Sequence, residues 1–296
     1  MRGKAGFFAK YLTGQGTPWT ARAAASALSW QSVSYGDGKF VAVSDSNSAS
    51  GVMTSVEGVN WTTQTAAVSG SFYGVTYGGG LFAAVGTGAS DLMTSTDGIT
   101  WTGRTNPIGG GLRAVTYGGG QFVAVANSGG SSRVITSPDG VTWTGRTAAQ
   151  NPWRGVAYSG SVYAAVASSG ANRAMTSTDG ITWTNRTTDA VAWLGIAYGN
   201  GTFVAIGTDY ATTSSSGSSW TLQIMPSGSW SAVTFGNGLF VAVANGGTNR
   251  VATSPDGVTW TARTAAETNN WNGVGYGAGL FAAVASSGTN RVMTAP

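Results

Sequence analysis

The chain has 296 residues, only 9% of them charged, a formal net charge of +4, and neither cysteine nor histidine. That composition excludes disulfides, thiol nucleophiles, imidazole bases and most zinc sites, and no cofactor is expected. The 15 basic residues are dispersed rather than clustered, and no long apolar run occurs, so neither a nucleic-acid-binding surface nor a membrane-inserted helix is expected.

Residues 1–12 match nothing later in the chain and read as an N-terminal arm. Phe7-Phe8 is too short an apolar core for a signal peptide, but with Tyr11 it suits either packing on the repeat domain or docking onto a partner. Residues 13–296 form one repeat domain. Pro18-Trp19-Thr20-Ala21-Arg22 matches the end of a later repeat, Thr259-Trp260-Thr261-Ala262-Arg263, and so supplies a last strand with no unit before it.

From Trp30 a complete unit begins: Trp30, Val33, Tyr35, Gly36, Gly38, Phe40, then Val41-Ala42-Val43. The frame returns at Phe72, Leu112, Trp153, Trp193, Trp230 and Trp271, which gives seven. Val33 and Tyr35 share strand parity and the Gly-x-Gly suits a hairpin, so each unit opens with two antiparallel strands. Small residues flank the central Val of the first strand, such as Ser32 and Ser34 or Gly155 and Ala157, which suits strands converging on an axis. Val52-Met53-Thr54 and its equivalents give a third strand.

The fourth strand follows a recurring turn, best seen in Ser137-Pro138-Asp139-Gly140-Val141-Thr142-Trp143. Its copies end on Trp19, Trp61, Trp101, Trp143, Trp183, Trp220 and Trp260, spaced 42, 40, 42, 40, 37 and 40 residues apart. Asp can bond nearby backbone N–H groups while Gly accepts positive φ. Glu57 and Ser216 replace the Asp in two copies, so the position reads as a turn rather than a shared catalytic acid.

This period with four short strands per unit predicts an all-β chain folded as a seven-bladed β-propeller of four-stranded antiparallel blades. The last unit stops after its third strand, Arg291-Val292-Met293-Thr294, so the N-terminal strand should complete it and close the ring; residues 11–13 offer a rival third strand. Arg22, Arg104, Arg146, Arg186 and Arg263 on the outermost strands discourage edge-to-edge pairing.

The turn resembles the Asp-box of BNR-like repeat propellers, including sialidases, although here Gly follows Asp directly and Trp comes one residue early. A sialidase-like glycoside hydrolase would need three Arg, a Tyr nucleophile with its Glu, and an Asp acid. No residue matches that set, and five of the eleven acids sit at the turn, so the chain is not expected to be an enzyme. Close repeats, few charges and Gly/Ser/Thr-rich loops also resemble the repeat propellers of phage tail fibres and virion surfaces.

Binding is expected on the face carrying the longer, variable loops, between strands two and three and between units. Trp30, Trp153, Trp193, Trp230 and Trp271 arrive there, as do Arg133, Arg173, Arg250 and Arg291, three of them preceded by Asn172, Asn249 or Asn290. Arg113 and Arg154 follow the aromatic position and point toward the channel. Aromatic faces beside Arg and Asn suit sugars; the alternatives are Trp packed between blades and Arg at solvated loop ends. The resulting expectation is a carbohydrate-binding adhesion propeller at a virion or extracellular surface, taking a glycan or cell-surface polysaccharide. The alternative is a structural virion component docked to other virion proteins through residues 1–12.

Overall fold

A computed structural model describes residues 18–296. The arm at residues 1–12 and the rival strand at residues 11–13 lie outside the described residues. No helix occurs among the described residues, and hence none long and apolar enough to cross a membrane.

Each regular unit is an antiparallel meander. In the first, Trp30–Gly36 pairs with Lys39–Ser44, which pairs with Val52–Ser55, which pairs with Thr62–Gln64. The second strand is buried on both faces, which is why Phe40-Val41-Ala42-Val43 shows no polar alternation. The outermost strand is short and exposed.

The strands gather into six sheets, so the expected count of seven four-stranded blades is corrected: the ring has six blades, five of four strands and one of six. The merger falls on the fifth and sixth repeats. Strand Thr202–Ser214 runs through two strand positions, and so does Thr221–Gly236. The loop between the second and third strand positions shrinks there to a tight turn with Asp209 at φ 62°. Ser229 then pairs with Thr208 on one side and Gly246 on the other, so no loop is left to interrupt the ladder. The 37-residue spacing between Trp183 and Trp220 is the trace of that shortening in the sequence.

Closure occurs as expected. Thr20–Arg22 pairs with Val292–Ala295 in the register Thr20↔Thr294 and Arg22↔Val292.

Wedges of apolar side chains hold neighbouring repeats together. Trp153, Val156, Tyr163 and Met175 pack on Val123, Val125 and Val134 of the preceding repeat. The aromatic near the end of each first strand packs edge-on or tilted against an aromatic near the start of the second, as Tyr35 does on Phe40 at 4.9 Å and Tyr158 on Tyr163 at 4.4 Å, with Phe235 in place of the tyrosine in the sixth repeat. The outer arginines do more than charge an edge: Arg104, Arg146 and Arg186 donate from Nε to Thr94, Thr136 and Thr176 at 2.8, 2.9 and 3.0 Å, clamping the fourth strand to the third.

Candidate functional site

The recurring turn is structural. Asp139 Oδ1 accepts the N–H groups of Val141 and Thr142 at 2.8 and 2.9 Å and the Ser137 hydroxyl at 2.9 Å, while Trp143 Nε1 donates to Gly140 O at 3.1 Å. Gly140 adopts φ 70°. Asp97, Asp179 and Asp256 repeat the pattern. The Thr100 N–H, then that of Ile99, holds the Asp97 carboxyl at about 2; the N–H groups of Thr182 and Ile181 do the same for Asp179.

An unfolded Asp titrates near 3.9, above these folded values, so unfolding takes up protons. The turns therefore contribute stability that is present above about pH 4 and is lost as pH falls toward 2. The melting temperature should drop across that window, and Asp97→Asn with Asp179→Asn should make the drop shallower. An equally steep drop in the double variant would show that these turns are not its source.

The loop face forms as expected, because the loop between strands two and three bonds back to the loop preceding its own unit in every repeat but the merged fifth. Asp45 N–H donates to Ser29 O at 3.1 Å, and Ser168 N–H to Pro152 O at 3.2 Å. The side chains expected to bind there are placed differently. Trp30, Trp153, Trp193, Trp230 and Trp271 are all fully buried, so they offer no face for stacking a sugar. Their indole N–H groups are consumed within the wedge: Trp30 donates to Ser26 O at 3.1 Å, Trp153 to Ala149 O at 2.9 Å and Trp193 to Thr188 Oγ1 at 2.8 Å. The packing alternative holds for all five.

The loop-end Arg and Asn residues largely brace the loops. Arg291 Nη1 donates to Leu28 O at 2.8 Å and Ser286 O at 3.0 Å, tying the last repeat to the start of the first. Arg173 Nε donates to Gly170 O at 3.2 Å. Asn249 Nδ2 donates to Ser227 O at 2.9 Å, Asn290 Nδ2 to Glu267 Oε1 at 2.6 Å, and Asn172 O receives Asn151. Arg133 is buried, with Nε and Nη1 unpartnered, and Arg250 Nη1 is likewise unpartnered.

Arg113 and Arg154 do reach the channel. Its mouth encloses about 230 Å³, lined by Gln31, Tyr73, Arg113, Arg154, Leu194, Ser231, Asn245 and Asn272, above a channel of about 420 Å³. Seven of these occupy one repeat position, the residue just after the buried aromatic, or after Leu112 in the third repeat. In six repeats that residue is skipped by the ladder, as between Trp30 and Ser32 or Trp153 and Gly155. Such a bulge turns the aromatic into the wedge and its successor toward the axis.

The Arg113 guanidinium carbon lies 3.9 Å from the centre of the Tyr73 ring, and its buried Nε has no partner. Arg154 Nε reaches Ser168 Oγ at 3.4 Å. Neither arginine has an ion pair among the described residues. Burial, and after it the charge of Arg113, lowers the Arg154 pKa; burial, and after it the charge of Asp45, raises that of Tyr73.

Gln31, Tyr73, Leu194, Ser231, Asn245 and Asn272 were not expected at a site. The signal for most of them was available: across the seven frames this position reads Gln, Tyr, Arg, Arg, Leu, Ser, Asn while its neighbours scarcely change. A repeat that varies at a single inward position carries information there that packing does not require.

No protein-family model matches the chain, and no curated protein matches it. Solved structures do. A streptogramin B lyase superposes with TM-score 0.82 at 11% identity, covering 94% of this chain and 97% of the other. Virginiamycin B lyase from Staphylococcus aureus gives TM-score 0.78 at 12% identity, over 91% and 95%. YCF48 bound to D1 peptide gives 0.68 at 18%, over 96% and 98%. Likeness at such identities is a likeness of fold, and with the strand pairing above it makes this chain an all-β propeller built from sequence repeats.

Proposed function

We propose that the protein is a non-enzymatic binding propeller, carried on a virion as a tail-fibre or surface component, that recognises surface glycans through its loop face. The observation that carries the reading is the channel mouth. A rigid, nearly invariant repeat scaffold presents one variable side chain per repeat, most of them polar, around a single opening. Fixed scaffold with variable display is the arrangement of recognition rather than of chemistry. The resemblance to virion repeat propellers supplies the setting.

The acids support a non-catalytic role. Besides the turn carboxylates, Asp91 Oδ2 accepts the N–H groups of Ser71 and Gly88 at 2.9 and 2.8 Å, and Asp209 accepts that of Gly228 at 2.8 Å. Glu267 is bonded to Asn269 and Asn290. These side chains hold loops.

A glycan array probed with the full chain tests the reading. Reproducible hits are expected, together with no turnover of sialosides or aryl glycosides. A blank array with stable co-purification of another virion protein would overturn it in favour of the architectural alternative. Turnover abolished by substituting the exposed Asp189 would overturn the non-enzymatic part.

A further inference from the structure

Two arginines from adjacent repeats share the channel mouth, with no ion pair to a carboxylate among the described residues. Burial, and after it the charge of Arg113, disfavours the charge of Arg154. The compensations in place are modest: the Tyr73 ring beneath Arg113, with a side-chain hydrogen bond between the two, and a long hydrogen bond from Arg154 to Ser168. Cation–π contact of this kind contributes about 0.5–2 kcal/mol, too little to substitute for a counter-charge. An anion seated between the guanidiniums would offset the repulsion and supply acceptors for the N–H groups that face the mouth.

Three features narrow the anion. The lining carries two guanidiniums and no carboxylate, so an anion is matched. The mouth's 230 Å³ is below the roughly 300–1,000 Å³ of drug-sized ligand pockets, which suits one sugar residue better than a peptide. Apart from Leu194 the lining is polar. Gln31 and Asn272 each donate one amide N–H, to Ser29 Oγ and to Trp30 O, which leaves the other N–H and the amide oxygen of each for hydroxyls.

We propose that the channel mouth binds a carboxylated sugar of the hexuronate class, its carboxylate held by Arg113 and Arg154 and its hydroxyls by Gln31, Asn272 and Asn245. The proposal rests on the glycan-binding reading above and adds to it the ligand's charge, size and position.

The full chain would be titrated with sodium glucuronate while the Arg Nε–H signals are followed by NMR, with glucose, inorganic phosphate and an acidic peptide as comparators. Glucuronate should bind at about 1 mM, the strength of a few charge-assisted hydrogen bonds, and should move the Arg113 and Arg154 signals. Glucose should bind at least about tenfold more weakly. Arg113→Gln and Arg154→Gln should each weaken glucuronate about tenfold, with Arg113→Lys intermediate. The wild-type signals locate the site even if a variant folds poorly. Equal binding of glucose, tighter binding of phosphate or peptide, or unmoved Arg113 and Arg154 signals would each overturn the proposal. Array hits with neutral glycans only, alongside unmoved signals, would sink this proposal and leave the glycan-binding reading standing. A blank array with glucuronate seated in the mouth would do the reverse.

Discussion

A protein lacking residues 1–25 should melt well below the full chain and aggregate on heating. The deletion removes strand Thr20–Arg22 and with it three ladder pairs and the Arg22 Nε to Thr294 Oγ1 bond of 3.2 Å. It also strips Trp19 from the cluster of Trp271, Phe281 and Met293, and Ala24 and Ala25 from the cluster of Trp30. Strand Val292–Ala295, almost wholly buried in the closed ring, becomes an uncovered edge. Loss of a packed tryptophan alone costs about 3 kcal/mol. In a chain of this size each kcal/mol moves the melting temperature by about 2–4 °C, so a fall of roughly 10 °C or more is expected. Thermal melting with simultaneous light scattering reads both effects. An unchanged melting temperature would mean that the ring closes by other contacts.

That closure was legible because the sequence contains a fourth strand, ending in Ala21-Arg22, with no unit in front of it and a last unit, ending near Thr294, with none behind it. Strand order, the innermost strand and the turn motif were legible for a similar reason: a repeat averages away local ambiguity. What depended on departures from the repeat was not. The merged six-stranded sheet arises from the loss of a few loop residues near Asp209, and a count of frames passes over it. The loop-face tryptophans were ambiguous between platform and wedge because periodicity fixes which residues recur but not which way a bulge turns them. That bulge exchanged the roles of two neighbours, burying Trp153 and exposing Arg154 to the mouth.

Gly118→Ala should destabilise the protein about as much as a core mutation, although Gly118 lies at the end of a hairpin strand. Its conformation is not the reason, since its φ is not positive; that demand falls on Gly120, at φ 82°. A Cβ on Gly118 would lie inside the ring of Tyr158 from the next repeat, where flexible side-chain ends cannot yield, because Tyr158 is itself stacked on Tyr163 at 4.4 Å. The same socket recurs around the ring, with Gly36 under Tyr77, Gly78 under Tyr117 and Gly277 under Tyr35 across the closure. The fourth repeat has Ser159 there, and its strand ends one residue early, at Tyr158, with Ser159 Oγ accepting the Val162 N–H at 3.0 Å instead. Overpacking a tight contact costs about 1–3 kcal/mol, and backbone against a stacked ring places this site at the upper end, about 3 kcal/mol. Gly120→Ala has open space and only left-handed strain, about 1–2 kcal/mol. Denaturant melts of both variants should rank them in that order. Adding Tyr158→Ala should cost less in the Gly118→Ala background than in the wild type, because it removes the clashing ring. Strict additivity in that cycle would show that the socket is not what makes Gly118 necessary.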